Sequence, residues 1–165
     1  MTTIKGEAND RVRVVFPLEQ DQGWPPVASE RLWAVPVDVD LVRIDSVPWF
    51  VCDLSLNDIV RTRTVAHGVL EAAEKVSWSG NCTVRIIPFG SGKFSADPQR
   101  IIDLFSALGV QSEVIEQFGI IALNVPPAVD IAKVKGLLIR GFESDWWDYE
   151  ESCIGDAWEA SSPRY

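Results

Sequence analysis

Between Cys82 and Ile154 the hydrophobic spacing switches repeatedly between a strand period and a helix period, and this switching constrains the fold more than any other feature of the chain. TVRIIPF is a short run of mostly branched residues, which predicts a strand. SADPQRIIDLFSALGV follows, with Asp97 at a helix cap position, Pro98 in the first turn, Ile101, Leu104, Phe105 and Leu108 on one face, and Gly109 as the stop. SEVIEQFG and IIALNVP read as two strands joined at Gly119. A second helix, starting at Pro127 or Asp130 and reaching Arg140, buries Ile131, Val134 and Leu138 and stops at Gly141. WWDYEESC supplies a final strand.

The resulting order of strand, helix, strand, strand, helix, strand is that of a ferredoxin-like half. In its last strand Trp147, Tyr149 and Cys153 alternate toward the helices, while Trp146, Asp148 and Glu150 point the other way. The first half has a different texture. RVRVVF alternates Val12, Val14 and Phe16 with Arg11 and Arg13, and ERLWAVPV, LVRI, DIVRTRTV and EAAEKVSW are further short strands. LEQDQGWPPVAS is a loop, and His67-Gly68 marks a hairpin turn. The expected architecture is therefore α+β: a small, antiparallel, barrel-like sheet over residues 1–80, a ferredoxin-like half over 81–155, and a tail over 156–165. The boundary near Ser79-Gly80-Asn81 is too short for a flexible linker.

Charge narrows the function classes. Of 24 acidic and 15 basic residues, the stretch Glu143 to Ala160 holds seven acids and no base, so it carries -7 of the net -9. Nucleic acid needs a cationic track to replace its counterions, and none is visible; the central strand GIIALNVP also lacks the aromatic and basic residues of an RNA-reading sheet. No apolar run approaches the ~20 residues of a spanning helix, and the start MTTIKGEANDRVRVVF is charged where a secretory leader would be apolar, so the expectation is a cytoplasmic protein without a membrane partner. Three widely spaced cysteines, Cys52, Cys82 and Cys153, form neither a disulfide framework nor a paired zinc site.

Catalytic signatures are sparse. The single histidine, His67, cannot build a two-histidine metal site. FGSGKFS carries Lys93 after a strand but lacks the spacing of a phosphate loop, so it reads as a connecting loop. Asp45, Asp53 and Asp58 sit in turn contexts, where aspartate commonly bonds its own backbone. No cofactor and no metal are expected.

The segments ERLWAVPV, LVRIDSVPWFV, LSLNDIV, SWSGNCTVRIIP and WWDYEESC, in this order and spacing, resemble the bacterial domain of unknown function 4265 family over about Arg11 to Cys153. The family's Ser-Gly-His-Ser-Thr stands here as Ser79-Gly80-Asn81-Cys82-Thr83, so the histidine is missing, and its Asn-x-Pro-Phe stands as Ser46-Val47-Pro48-Trp49. The resemblance implies a bacterial source and a two-part fold and supplies no activity.

Two functions fit. The favoured one is a non-catalytic interaction protein of immunity or inhibitor type, which meets a basic protein partner through Trp146, Asp148, Glu150, Glu151 and Trp158. The alternative is a small-molecule binder or enzyme with a ligand cleft between the halves, drawing on Trp33, Asp45, Trp49, Ser79 and Arg85.

Overall fold

A computed structural model of the chain describes residues 10–94 and 97–165. The chain divides into two compact units, one running up to Ser46 and from Leu56 to Ser79, the other comprising Val47–Ser55 and Gly80–Tyr165. The expected boundary near Ser79 is where the second unit resumes, but nine residues of the first half, Val47–Ser55, belong to the C-terminal unit.

The first unit is a closed five-stranded barrel of β1 (Val12–Pro17), β2 (Ser29–Asp38), β3 (Leu41–Ile44), β4 (Ile59–Thr64) and β5 (Leu70–Ser77). Consecutive strands pair antiparallel, and a parallel pairing of β1 with β5 at Val14↔Leu70 and Val15↔Glu71 closes the ring. Register shifts between Pro36 and Asp38 and at two points in the β4–β5 pairing, where β5 carries the extra residue, bend the strands, which a ring this small requires. Val14, Phe16, Leu32, Ala34, Val42, Ile44 and Val60 fill the interior, as the alternation in β1 predicts. Between β4 and β5 a single 3₁₀ turn, Ala66–Gly68, reverses the chain; His67 and Gly68 both adopt positive φ there, so His67 is a turn residue.

In the second unit β6 (Cys82–Pro88), α1 (Pro98–Ser106), β7 (Gln111–Ile115), β8 (Ile120–Val125), α2 (Ile131–Glu143) and β9 (Trp147–Cys153) follow the expected order. The four strands form one antiparallel sheet in the order β7-β8-β6-β9, which leaves β9 at an edge. One sheet face meets both helices: Val84, Ile86, Ile121, Leu123 and Trp147 pack with Ile101 and Phe105 of α1 and Val134 and Leu138 of α2. Asp130 caps α2 by accepting the Lys133 amide at 3.3 Å, whereas Asp97 sits at the start of α1 without a capping bond from its side chain. Leu104, expected on the buried stripe of α1, is 37% exposed.

The other sheet face is roofed along β6 by Val47–Ser55. Val47, Phe50 and Leu54 are buried, Ser55 Oγ and Thr83 Oγ1 share a hydrogen bond of 2.8 Å, and the Asp53 amide donates to Ser152 O at 2.9 Å. The expected tail over 156–165 is not a tail. Residues Asp156–Ala160 form a short helix, α3, whose Trp158 is 1% exposed within the core, and the Arg164 amide donates to Ala132 O at 2.9 Å.

Candidate functional site

The last turn of α2 and the edge strand β9 organise the acidic stretch. Trp147 anchors it: its indole lies on the face of Gly141, its Nε1 donates to Leu138 O at 3.2 Å, and it stacks near Phe94 and Phe105 with centroids 6.0 and 5.9 Å away. Tyr149, two residues on and on the same side, is half-buried and meets Phe142 edge-to-face at 6.3 Å. Phe142, Asp148, Tyr149 and Glu151 together line a recess of about 400 Å³.

This recess is negative. Burial, followed by the charges of Glu151, Asp148, Tyr165 and Glu143, pushes the Tyr149 phenol above its ordinary value. All seven acids between 143 and 160 are exposed, and among the described residues only Glu150 has a cationic partner, Arg85 at 2.8 Å. Asp148 also accepts the Tyr149 amide at 2.8 Å, which occupies one donor of the sheet edge.

The five residues expected to form the partner surface do not act together. Asp148 and Glu151 line the recess. Glu150 is engaged by Arg85. Trp158 must be removed from the surface, because its ring is core and its Nε1 donates to Glu151 Oε1 at 2.9 Å; Lys135 holds α3 in place by donating to Trp158 O and Ser161 O at 2.8 and 2.7 Å. Trp146 lies outside β9, which begins one residue later, so strand alternation does not govern it; its amide closes the turn from α2 by donating to Gly141 O at 2.8 Å, and its ring meets Phe94 at 5.1 Å. Cys153 also departs from the alternation. A register shift opposite Thr83 and Val84 turns its thiol to within 3.9 Å of Asp53 Oδ1. Phe142 was not among the expected contacts; its place at the end of a helix stripe carries no signal of an aromatic partner two turns of chain away.

The second expected group divides between the units. Trp33, Asp45 and Ser79 belong to the barrel unit: Arg11 and Arg13 lie over the Trp33 ring at 4.8 and 4.2 Å, Asp45 pairs with Arg11 at 3.0 Å, and Ser79 Oγ donates to Leu56 O at 2.7 Å. Trp49 and Arg85 belong to the other unit. Arg85 is 3% exposed; its Nη1 donates to Val51 O and its Nη2 to Cys52 Sγ and Glu150 Oε1, which ties it to the roof segment and the edge strand, while its buried Nε has no hydrogen-bond partner among the described residues. Asp58 is fully buried and accepts the Ser79 amide at 2.8 Å, so the bond seen ties the start of β4 to a residue 21 positions on and not to its own turn. Burial raises the Cys82 thiol, with Cys153 and Glu151 adding to the effect and a backbone hydrogen bond from Gly155 opposing it, which is the setting of an inert cysteine. Among the described residues, no group of three or more His, Cys, Asp or Glu is placed to hold a metal ion.

The family model "Domain of unknown function (DUF4265)" matches residues 30–149. The chain belongs to the DUF4265 family. A solved structure similar to this DUF4265 chain, described as the novel crystal structure of a hypothetical protein from Neisseria gonorrhoeae, is 25% identical, with a TM-score of 0.68 over 88% of this chain and 95% of that one. No curated protein matches the chain. No helix is long and apolar enough to cross a membrane among the described residues.

Proposed function

We propose that this DUF4265 chain is a non-catalytic interaction protein whose recess beside β9 receives a lysine or arginine side chain from a basic protein partner. One observation carries the reading: Asp148 and Glu151, neither with a cationic partner among the described residues, flank the Phe142 and Tyr149 rings in a single concavity. An incoming cation would gain about 0.2–1 kcal/mol from each exposed carboxylate and about 0.5–1 kcal/mol from a ring face. Together that is roughly 1–3 kcal/mol, or about fivefold to 150-fold in affinity. The unpaired acids around it would steer the encounter and slow it as salt rises.

The test uses a short arginine-rich peptide as probe. The peptide is expected to shift the Tyr149 and Phe142 resonances, to associate more slowly as salt rises, and to bind about twofold to thirtyfold more weakly to a D148N/E151Q variant. Association that ignores ionic strength, or a double variant that binds as well as the parent, refutes the proposal.

We also read the C-terminal unit as a ferredoxin-like layer. Its element order and the position of its first strand between the third and fourth support that reading.

A further inference from the structure

A second recess, of opposite charge, opens on the helix side of Trp146. Its volume is about 480 Å³, within the ~300–1,000 Å³ range of small-molecule sites. The floor is Phe94, which is buried, and the half-buried Trp146; Leu104 and Leu137 give it an apolar wall from α1 and α2. Three cations ring it from three separate elements. Lys93 Nζ lies 5.1 Å from the Trp146 ring and 5.4 Å from Phe94, Arg100 Cζ lies 5.3 Å from Phe94, and Arg140 Cζ lies 5.6 Å from Trp146.

Local packing builds this arrangement. The Phe89 amide donates to Trp146 O at 3.1 Å and the Gly92 amide to Phe89 O at 3.0 Å, which lays the loop after β6 against residues 145–146. A Cβ on Gly92 would sit 2.9 Å from both Asp145 O and Trp146 O, so only glycine permits the approach that brings Lys93 and Phe94 to the tryptophan. The second glycine of FGSGKFS therefore serves a backbone contact and not a phosphate loop.

Charge balance sets this recess apart from an ordinary wet face. The chain has 24 acids for 15 bases, yet among the described residues none of Lys93, Arg100 and Arg140 has a carboxylate partner. The one acid in the lining, Asp103, accepts from Gln99 Nε2 at 2.8 Å. A guanidinium lying over a ring keeps its N–H edge available for a planar oxyanion. The geometry points to a binding site for a small organic anion that carries a flat ring, its carboxylate or phosphate held by Lys93, Arg100 and Arg140 and its ring stacked on Trp146.

Titrations of the full chain with phenyl phosphate, benzoate, phenol and inorganic phosphate, followed by the indole N–H resonances of its seven tryptophans, test this. W146F assigns the Trp146 signal. At least one of phenyl phosphate and benzoate should move that signal saturably, and whichever binds more tightly identifies the head group. Phenol and inorganic phosphate should each bind at least about tenfold more weakly, and R140Q and R100Q should each weaken the preferred anion by about tenfold or more. The other indole signals verify that each variant is folded; if one variant fails to fold, the other, on a different helix, decides. No saturable shift with either ring anion at about 10 mM, equal binding of phenol or of inorganic phosphate, or unchanged affinity in the folded arginine variants overturns the site.

Discussion

Replacing Gly141 with alanine tests the packing on which the acidic edge depends. Gly141 lies in the last turn of α2, and a Cβ there would overlap Cε2 and Cζ2 of the Trp147 indole, a rigid group with no exposed surface. The new methyl cannot be absorbed by a rotating chain end. Forcing it into a filled core costs about 1–3 kcal/mol. Displacing the indole also gives up its hydrogen bond to Leu138 O, worth about 1 kcal/mol, and part of a tryptophan's packing, whose complete loss would cost about 3–5 kcal/mol. Alanine's helix preference over glycine returns about 1 kcal/mol. The net expectation is a loss of roughly 2–4 kcal/mol, or about 5–15 °C in Tm for a chain of this size. Urea and thermal unfolding, with the Trp147 indole resonance as local reporter, measure it. Trp147→Leu removes the overlapping ring atoms, so G141A combined with W147L should cost at least about 1 kcal/mol less than the sum of the single variants. A G141A protein as stable as the parent, or more stable, would show that helix preference alone governs this position and that the indole does not rest there.

Other outcomes follow from the same geometry. Asp130→Ala should lose about 1 kcal/mol of stability and Asp97→Ala almost none in a urea melt, because only Asp130 makes a capping bond through its side chain. Ellman's reagent should titrate Cys52 quickly in the native protein and reach Cys82 and Cys153 only on unfolding, since Cys52 alone of the three thiols is exposed. Because the folded state holds the Tyr149 phenol above its ordinary value, unfolded chains ionise first as pH rises past ~10, and stability falls from there until the folded-state value is passed. Tyr149→Phe should flatten that part of the decline in a series of urea melts between about pH 9 and 11.

The long periodic elements of the C-terminal unit are legible because each is a local signal: Ile101 and Phe105 on α1, and Val134 and Leu138 on α2, mark the helices before any tertiary contact is considered. The closed barrel is legible only as a set of short strands, since the β1–β5 pairing that closes it joins segments far apart in the chain. Reading in chain order assigns Val47–Ser55 to the first half, because the Arg85 and Thr83 bonds that carry it to the second unit leave no trace in its composition. Trp158 lies on a helix of five residues, too short for periodicity to reveal, so its burial is a tertiary fact. A strand boundary displaced by one residue is enough to send Trp146 to the wrong face. The acidic recess is half legible, through Asp148 and Glu151. The cationic one is not, because its three charges are far apart in sequence and acquire meaning only when two helices and a glycine-bearing loop converge.

The roof segment also bears on how the gene can be divided. Because Val47–Ser55 is encoded between two barrel strands yet completes the other unit, no single cut yields both units whole. A fragment beginning at Gly80 would leave Thr83 without its Leu54 acceptor and open the buried Arg85 to solvent, so fission would leave that sheet face uncovered unless a peptide supplied the missing nine residues in trans.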